Sequence, residues 1–475
     1  MWERFCFYGM RGMLVVFMVS HLGMNEKVAN LQYGATQAWV YAFTFIGGLF
    51  ADKILGLRKS LFWGGILMII GSVILAIDPK NFFFIGLGFT IVGTGFFKPN
   101  ISSMVGQLYP DGDPRRDAGF SFFYMGVNLG ALIGGYICIA VAEGSMWQSI
   151  VPEHLRWNVG FGFAAIVMII SLLTFTQTQK SLGPIGLSPL KEMMVSKRKQ
   201  LEIVTYVGSL LVIPLIIVMV ANTHYTDYFM ICIGPASILY LLYEMKNFTL
   251  AENKKLFAAL IFIIFSIFFW AFFEQSGGSL SLFAVNNLNN TIGGVVLSPN
   301  GVNNSANSFF VIGFAALVGL VWLWLDKRKI EPNTVIKFGL AFLFLAGGFW
   351  VFYYTKFFAD GFGRTSLGIF TFGWFVITLG ELCLSPIGMS AMTKLSPSKT
   401  QAVIMGMWFL ASAYGQYFAG ILGANIAEAS EQSSNIEKLN VYADGYLQLA
   451  IYALIAGVVL IVLSPLVRKL MQEVK

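Results

Sequence analysis

The sequence predicts an all-α integral membrane protein with fourteen transmembrane helices. Of its 475 residues, 57% are hydrophobic and only 12% are charged, whereas soluble proteins are about 45–50% apolar and about 25% charged. This composition argues against a soluble enzyme, a disordered chain, a disulfide scaffold and a nucleic-acid-binding protein. A membrane-spanning helix needs about 20 mostly apolar residues. Such stretches lie at 3–22, 32–51, 60–77, 82–108, 118–142, 157–177, 201–221, 226–245, 256–284, 305–325, 334–355, 366–393, 400–425 and 445–467.

A charged linker divides the spans into six, two and six. This order predicts an N-terminal six-helix bundle over residues 1–177 and a C-terminal six-helix bundle over residues 251–475. Residues 178–250 are expected to form a cytoplasmic linker and an extra transmembrane hairpin. Two six-helix halves are typical of transporters built from repeats. The extra pair is expected to face lipid and to have no role in transport.

Lys and Arg in the loops predict the orientation in the membrane, because cytoplasmic loops carry an excess of these residues. The loops that follow even-numbered spans are rich in them, as are the linker and the C-terminal tail. The opposite loops contain only Lys27, Lys80, Arg156, Lys356, Arg364 and Lys438. We therefore expect the linker and the C-terminus to be cytoplasmic in a multi-pass protein of the cell (inner) membrane. The formal charge of +7 thus indicates topology and not nucleic-acid binding.

No motif of an enzyme, a metal site or a cofactor site is present. The four cysteines lie in apolar stretches without CxxC spacing, so the sequence predicts neither a zinc site nor a disulfide framework. The sequence contains no Walker loop, HExxH or GxSxG motif. We expect a protein that is not an enzyme and that needs no cofactor. The cysteines are Cys6, Cys138, Cys232 and Cys383.

Among the ionisable side chains inside predicted spans, six charged ones are singled out. An ionisable group at the bilayer centre costs about 2.5–3.5 kcal/mol on insertion scales, so it usually faces a cavity and has a partner. These residues are therefore candidates for a substrate or ion pathway, and the alternative is that they only hold helices together. They are three bases and three acids: Arg4, Arg11, Lys98, Glu3, Glu274 and Glu381.

The spacing of Arg4, Tyr8 and Arg11 places them on one face of the first helix. Arginine forms bidentate hydrogen bonds, so this face suits a carboxylate or a phosphate. Proline follows Lys98 directly and follows Glu381 five residues later, which predicts two broken helices at charged positions.

Two further polar positions lie in the spans. Asn128 lies among Gly126, Gly130 and Gly134, which are expected to allow close helix approach. Substrate contact and an interhelical hydrogen bond remain alternatives for this amide. Glu274 lies among aromatic residues, where a balance between burial and a basic neighbour suits a proton carrier.

The residues around these positions resemble the proton-coupled oligopeptide transporter family of the major facilitator superfamily. Residues 3–11, ERFCFYGMR, are similar to the family's E-x-x-E-R-F-x-Y-Y-G motif, and residues 93–100, GTGFFKPN, resemble its fourth-helix signature. Residues 123–130, FYMGVNLG, resemble its F-Y-x-x-I-N-x-G signature, and residues 48–58 resemble the superfamily loop that closes the cytoplasmic gate. The arrangement of six, two and six helices is similar to that of bacterial members. The resemblance implies the major facilitator fold and uptake of di- and tripeptides with protons.

The resemblance also implies roles for individual residues. Arg4, Arg11 and Lys98 would bind the peptide carboxylate, and Glu3 would join Lys98 in a proton-linked charge network. The amino end would be bound by Asn128, Asn307 and Glu381. Glu274 would pair with Arg11 as a gate, and Asp52 belongs to the gating loop. Tyr8, Tyr41 and Trp408 would line the pocket.

The chain departs from the family pattern at its start. The first Glu of the motif would fall before Met1, so either the chain is truncated or the protein lacks one proton-coupling acid; the missing start of the helix favours truncation. Phe7 replaces the first Tyr of the motif, and the second span has no histidine.

The two ends of a di- or tripeptide lie at most roughly 7 to 11 Å apart. Bases on the first half and Glu381 on the second could therefore bind opposite ends of one substrate. The partners expected are thus a di- or tripeptide, a proton and the lipid bilayer, with the protein a monomer. The alternatives are the same fold with another small anion or zwitterion (an amino acid, nitrate or a peptide-like drug), a channel, an intramembrane enzyme, or a sensor that does not transport.

Overall fold

A computed structural model describes residues 1–109, 113, 115–190, 192–397, 401–427 and 434–472. The side chains of Arg116, Lys191, Lys399 and Lys475, which contribute to the predicted orientation, lie outside this description. The contacts divide the chain into two compact units. Unit 1 contains residues 1–23 and 35–226, and unit 2 contains residues 24–34 and 227–475.

Fourteen long helices occur in the described part of the chain, which confirms the predicted number. The first seven are α1 (Trp2–Ser20), α2 (Glu26–Phe50), α3 (Leu57–Ile77), α4 (Phe83–Gln107), α5 (Arg115–Ala142), α6 (Arg156–Thr178) and α7 (Val195–Ala221). They are followed by α8 (Thr223–Glu244), α9 (Leu250–Phe273), the short α10 (Ser279–Asn287), α11 (Pro299–Lys327), α12 (Thr334–Tyr354), α13 (Leu367–Leu395), α14 (Gln401–Ala427) and α15 (Asn435–Met471). Between α10 and α11, β1 (Thr291–Ile292) pairs antiparallel with β2 (Val295–Val296).

Eleven of the described helical segments are long and apolar enough to cross a membrane. The long helices outside this group are α1, α4 and α14; α1 carries three charged residues within 19 positions. Helices α7 and α8 are only 28% and 17% buried over their most apolar windows, which agrees with the expectation that the extra pair faces lipid. Helix α7 lies in unit 1, and all but the first residues of α8 lie in unit 2. The three-part division at residues 177 and 250 stays a proposal.

Glycines on α5 allow α1 to pack closely against it in unit 1. A Cβ added at Gly130 would lie 2.1 Å from the carbonyl oxygen of Met1, and one at Gly134 would lie 2.3 Å from that of Phe5. The expectation of close approach is therefore confirmed at these two positions. It is wrong at Gly126, because a Cβ there would meet no atom within 4 Å.

The helix that contains Lys98 is continuous, so the predicted break at this position is wrong. Pro99 lies inside α4 and deprives the carbonyl of Gly95 of its usual helical donor. The side-chain Nδ2 of Asn100 donates to Phe96 O at 2.6 Å. The hydroxyls of Ser102 and Ser103 donate to Pro99 O at 3.0 and 3.1 Å. Local side-chain hydrogen bonds of this kind allow a transmembrane helix to continue past proline.

Helix α13 also continues through the predicted break after Glu381, since it runs unbroken from Leu367 to Leu395. The interruption in unit 2 occurs elsewhere, inside the stretch predicted as one span over 256–284. Helix α9 ends at Phe273, a 3-10 turn covers Glu274–Gly277, and α10 starts at Ser279. Gly278, with φ −105 and ψ −114, leaves the helical region between them.

The start of α2 packs at this interruption, within unit 2. A Cβ at Gly277 would lie 2.1 Å from the hydroxyl oxygen of Tyr33, and one at Gly278 would lie 2.9 Å from Asn30 Oδ1. Further towards the start of α2, Lys438 donates to Glu26 Oε1 at 3.0 Å, and the Tyr442 hydroxyl donates to Glu26 Oε2. The small residues after Glu274 therefore make room for a segment distant in sequence.

Replacing Gly134 with Ala is expected to destabilise unit 1, because overpacking a close helix contact costs about 1–3 kcal/mol. The matched control is Gly126→Ala on the same helix, where the added Cβ meets open space. Thermal unfolding of the purified protein should show a lower midpoint for Gly134→Ala and an unreduced midpoint for Gly126→Ala. Equal midpoints would contradict the packing of α1 against α5.

Candidate substrate-binding site

The first helix presents two buried guanidinium groups along one regular face. Arg4 and Arg11 are 9% and 5% exposed, and α1 is α-helical throughout Trp2–Ser20. The Cζ atom of Arg11 lies 5.6 Å from the ring centroid of Tyr8. The predicted alignment of Arg4, Tyr8 and Arg11 is therefore preserved, and it combines two fixed positive charges with an aromatic face.

Glu3 forms an ion pair with its neighbour on α1. Its Oε2 lies 2.9 Å from the Nε of Arg4, and the carboxylate is buried. Its other oxygen, Oε1, accepts no hydrogen bond from any described residue. The predicted link between Glu3 and Lys98 stays a prediction.

Lys98 reaches the aromatic side chains of two other helices. Its Nζ lies 3.6 Å from the ring centroid of Tyr41 on α2 and 5.3 Å from that of Phe7 on α1. Cation–π contacts of a desolvated ammonium can contribute about 2 kcal/mol. Unit 1 thus brings Lys98 and Tyr41 together. Phe7, which replaces the family's Tyr, contributes an apolar ring to the same group.

Asn128 lies on α5 and is 7% exposed. Its Nδ2 donates to Tyr124 O at 3.0 Å. This hydrogen bond lies within one helix and does not join two helices. The side-chain oxygen of Asn128 is not occupied by that bond, so it can accept a hydrogen bond from a ligand.

Asp52 is exposed, unlike these buried groups, and lies on a π-helical turn at Ala51–Leu55. The turn is fixed by the linker that follows α6. Arg58 donates to the carbonyls of Ile185 and Gly183 at 2.6 and 2.7 Å, and Ser188 donates to Ile54 O at 2.6 Å. The loop that contains Asp52 is thus held by a linker hydroxyl, and the start of α3 after it is held by linker carbonyls.

In unit 2, the structure brings two of the predicted residues into direct contact. The Nδ2 of Asn307 on α11 donates to Glu381 Oε2 on α13 at 2.7 Å and to Thr378 Oγ1 at 3.2 Å. The amide therefore fixes one carboxylate oxygen. Trp408 on α14 is buried and packs closely on Gly388 of α13, where an added Cβ would lie 2.4 Å from its ring.

A buried polar network beside this pair was not anticipated from the sequence. The Nδ2 of Asn303 donates to Ser276 O at 2.7 Å, and Trp374 Nε1 donates to Asn303 Oδ1 at 3.2 Å. The network joins α11 to the turn that contains Glu274, which is 4% exposed. The sequence does contain a pattern that predicts such a network, because asparagines recur at helical spacing on one face of α11. They are Asn300, Asn303, Asn304 and Asn307.

The chain is similar to known transporters over its whole length. A family model described as the POT family matches residues 58–441. "Peptide transporter YePEPT" of Yersinia enterocolitica is 32% identical, over 100% of this chain and 93% of that protein. "Dipeptide and tripeptide permease B" of Aeromonas hydrophila is 26% identical, over 99% of this chain and 92% of that protein.

The structure is also similar to a crystal structure of a mutant peptide transporter POT in complex with alafosfalin. The TM-score is 0.82 at 30% identity, over 99% of this chain and 93% of that chain. This match confirms the expected major facilitator fold with fourteen helices. The family and these relatives are transporters, which confirms the expectation that the protein is not an enzyme. The chain is therefore a multi-pass membrane protein that belongs to the POT family of transporters.

Proposed function

We propose that this protein is a proton-coupled symporter that takes up di- and tripeptides by alternating access. The hydrogen bond between Asn307 and Glu381 carries the proposal, because it fixes a carboxylate inside a membrane-spanning helix. Such a group needs a partner or a function. A carboxylate on unit 2 and guanidinium groups on unit 1 match the two charges of a peptide zwitterion. The names of the Yersinia and Aeromonas relatives support the same substrate class.

Arg4, Arg11 and Lys98 bind the peptide carboxylate in this proposal, since Arg4 and Arg11 are buried, Lys98 is half-buried, and all three lie in unit 1 and are basic. Tyr8 and Tyr41 line this part of the site through their contacts with Arg11 and Lys98.

Glu381 binds the ammonium end, and Asn307 keeps the carboxylate oriented for it. Asn128 offers its free oxygen to the same end of the substrate, and Trp408 limits the space beside α13.

Coupling to protons is assigned to Glu3. Protonation of its carboxylate would weaken its ion pair with Arg4 and the predicted link to Lys98, and would release a base for the substrate. Entry of one proton down a membrane potential of 100 mV, negative inside, supplies about 2.3 kcal/mol. Glu274 is proposed to gate with Arg11, and Asp52 to gate through its loop.

We also propose that the protein works as a monomer in the cell (inner) membrane, because one chain carries both the basic set and the carboxylate. The distribution of Lys and Arg supports a cytoplasmic linker and C-terminus. The three-part division, with a hairpin and linker over 178–250, is proposed on the same basis.

Uptake of labelled dialanine into proteoliposomes tests the function itself. We expect saturable accumulation that requires an inward proton gradient and that unlabelled dipeptides inhibit. Accumulation without a gradient would contradict coupling. The absence of any saturable peptide flux would contradict the substrate class and favour another small anion or zwitterion on the same fold. Flux that does not saturate would indicate a channel.

Glu381→Gln is expected to reduce uptake of dipeptides with a free amine by at least about tenfold, since a neutral amide loses a charge-assisted hydrogen bond of about 1.5–3 kcal/mol. The variant should take up peptides with a blocked amine at the same rate as the unchanged protein does. Glu153→Gln, on an exposed turn outside the long helices, is the control. Equal losses for both kinds of peptide would rule out the amine role.

Lys98→Ala is expected to abolish accumulation driven by the proton gradient while peptide exchange across the membrane persists, because Arg4 and Arg11 still bind the carboxylate. Counterflow of labelled dipeptide measures the exchange separately from accumulation. Lys180→Ala, on the exposed linker, serves as the control. Full accumulation by Lys98→Ala would contradict its part in coupling.

A further inference from the structure

Unit 2 contains a cavity of about 1170 Å³ at the end where α11 stops and α12 begins. Its walls come from the loop between these helices, the first turn of α12, and the last turns of α13 and α15. The candidate substrate residues of unit 2 are not among its described lining residues. The cavity is therefore a separate feature at the helix ends, where a membrane protein meets the lipid headgroups.

The cavity has an excess of positive charge. Its basic lining residues are Lys329, Lys337, Lys394 and Arg468, and its acidic ones are Asp326 and Glu331. The charge of Lys337 is balanced, because Lys337 forms an ion pair with Glu331. The other three basic side chains form no ion pair within the described ranges of the chain. They come from three different segments, so their convergence is more specific than the general excess of basic residues in loops.

Lys329 adopts a backbone conformation that glycine normally occupies. Its φ is +58, and it ends α11 with hydrogen bonds from Lys329 N to Asp326 O at 2.8 Å and from Ile330 N to Leu325 O at 3.1 Å. A glycine is usual at this position because a Cβ is unfavourable there. Strained residues of this kind cluster at ligand sites. The backbone thus tolerates strain where an unpaired ammonium lines the cavity.

The helix that ends at the cavity exposes apolar side chains. On α11, Leu320, Leu323 and Trp324 are 61%, 59% and 49% exposed, and the helix as a whole is among the least buried, at 11% over its apolar window. Ile330, on the cavity wall, is also exposed. A ligand with a phosphate group at one end and acyl chains at the other would contact both the basic cavity and the apolar side chains of α11. Free phosphate would contact only the basic cavity.

We propose that this cavity binds the phosphate-bearing headgroup of an anionic phospholipid, with its acyl chains along α11. Lys329, Lys394 and Arg468 supply the positive charge. The start of α12, at Asn333 and Thr334 on the cavity wall, adds the partial positive charge of a helix N-terminus. The site is distinct from peptide binding and does not depend on it.

Native mass spectrometry of the purified protein with phosphatidylglycerol tests the proposal through the dissociation constant of the first bound lipid. The variant Lys329→Gln/Lys394→Gln/Arg468→Gln should raise this dissociation constant by at least about tenfold, because each basic residue near an anionic lipid contributes a several-fold effect on affinity. The control Lys180→Gln/Lys197→Gln/Lys199→Gln removes the same charge from exposed positions after α6 and at the start of α7 and should bind as the unchanged protein does. Equal weakening of both triple variants, or of neither, would overturn the proposal.

A second arm separates the two sources of phosphate. Inorganic phosphate, added at the same concentration as phosphatidylglycerol, should leave lipid binding unchanged. Full displacement of the lipid would identify a site for soluble phosphate and overturn the assignment to a lipid.

Lys329→Gly provides a test that does not depend on the folding of the triple variant. Glycine fits a φ of +58 better than lysine does, so the thermal midpoint should stay the same or rise. The first lipid should nevertheless bind about fivefold more weakly, the effect of one basic residue. A variant with unchanged lipid affinity would show that Lys329 only ends the helix.

Discussion

The cost of placing an ionised group inside an apolar helix governs the arrangement of this protein. An intramembrane charge persists only with a partner or a polar cavity, and contacts within one unit provide such partners for Glu3, Arg4, Lys98 and Glu381. Glu3 contacts Arg4, Lys98 lies over Tyr41, and Asn307 donates to Glu381. These contacts fix the positions of the charges within each unit.

Close helix packing sets the distances over which these charges act. Gly130 and Gly134 bring α5 against α1, and α1 carries both guanidinium groups. Similarly, a Cβ at Gly47 on α2 would lie 2.2 Å from Gly95 O on α4, near the position where Lys98 contacts Tyr41. The carbonyl that Pro99 deprives of its helical donor is thus the one that approaches the glycine of α2. Proline therefore does not break α4; it accompanies a close contact that brings the lysine towards the aromatic rings.

The sequence was sufficient for features that depend on one helix or on composition. Length and hydropathy predicted fourteen helices, because a membrane span must satisfy its backbone internally. The stripe of Arg4, Tyr8 and Arg11 followed from helical periodicity alone. The interruption at Glu274 could not be placed in this way, because Gly277 and Gly278 accommodate Tyr33 and Asn30, which are more than 200 positions away in the chain. The helix breaks predicted at the two prolines are absent. Local side-chain hydrogen bonds support α4, and α13 stays regular.

The interruption at Glu274 shows how unit 2 stabilises an irregular backbone within an apolar region. A helix that stops inside the membrane leaves carbonyls without partners, and each unsatisfied one costs several kcal/mol. Asn303 donates to Ser276 O, and Gln275 donates to Ala271 O and Ala419 O at 3.1 and 3.0 Å. Because Asn303 and Asn307 share a face of α11, one helix supports the interrupted turn and orients Glu381. A shift of α11 would therefore disturb both the turn that contains Glu274 and the orientation of Glu381, and the proposed gating and substrate roles of these residues would be linked through asparagines of one helix.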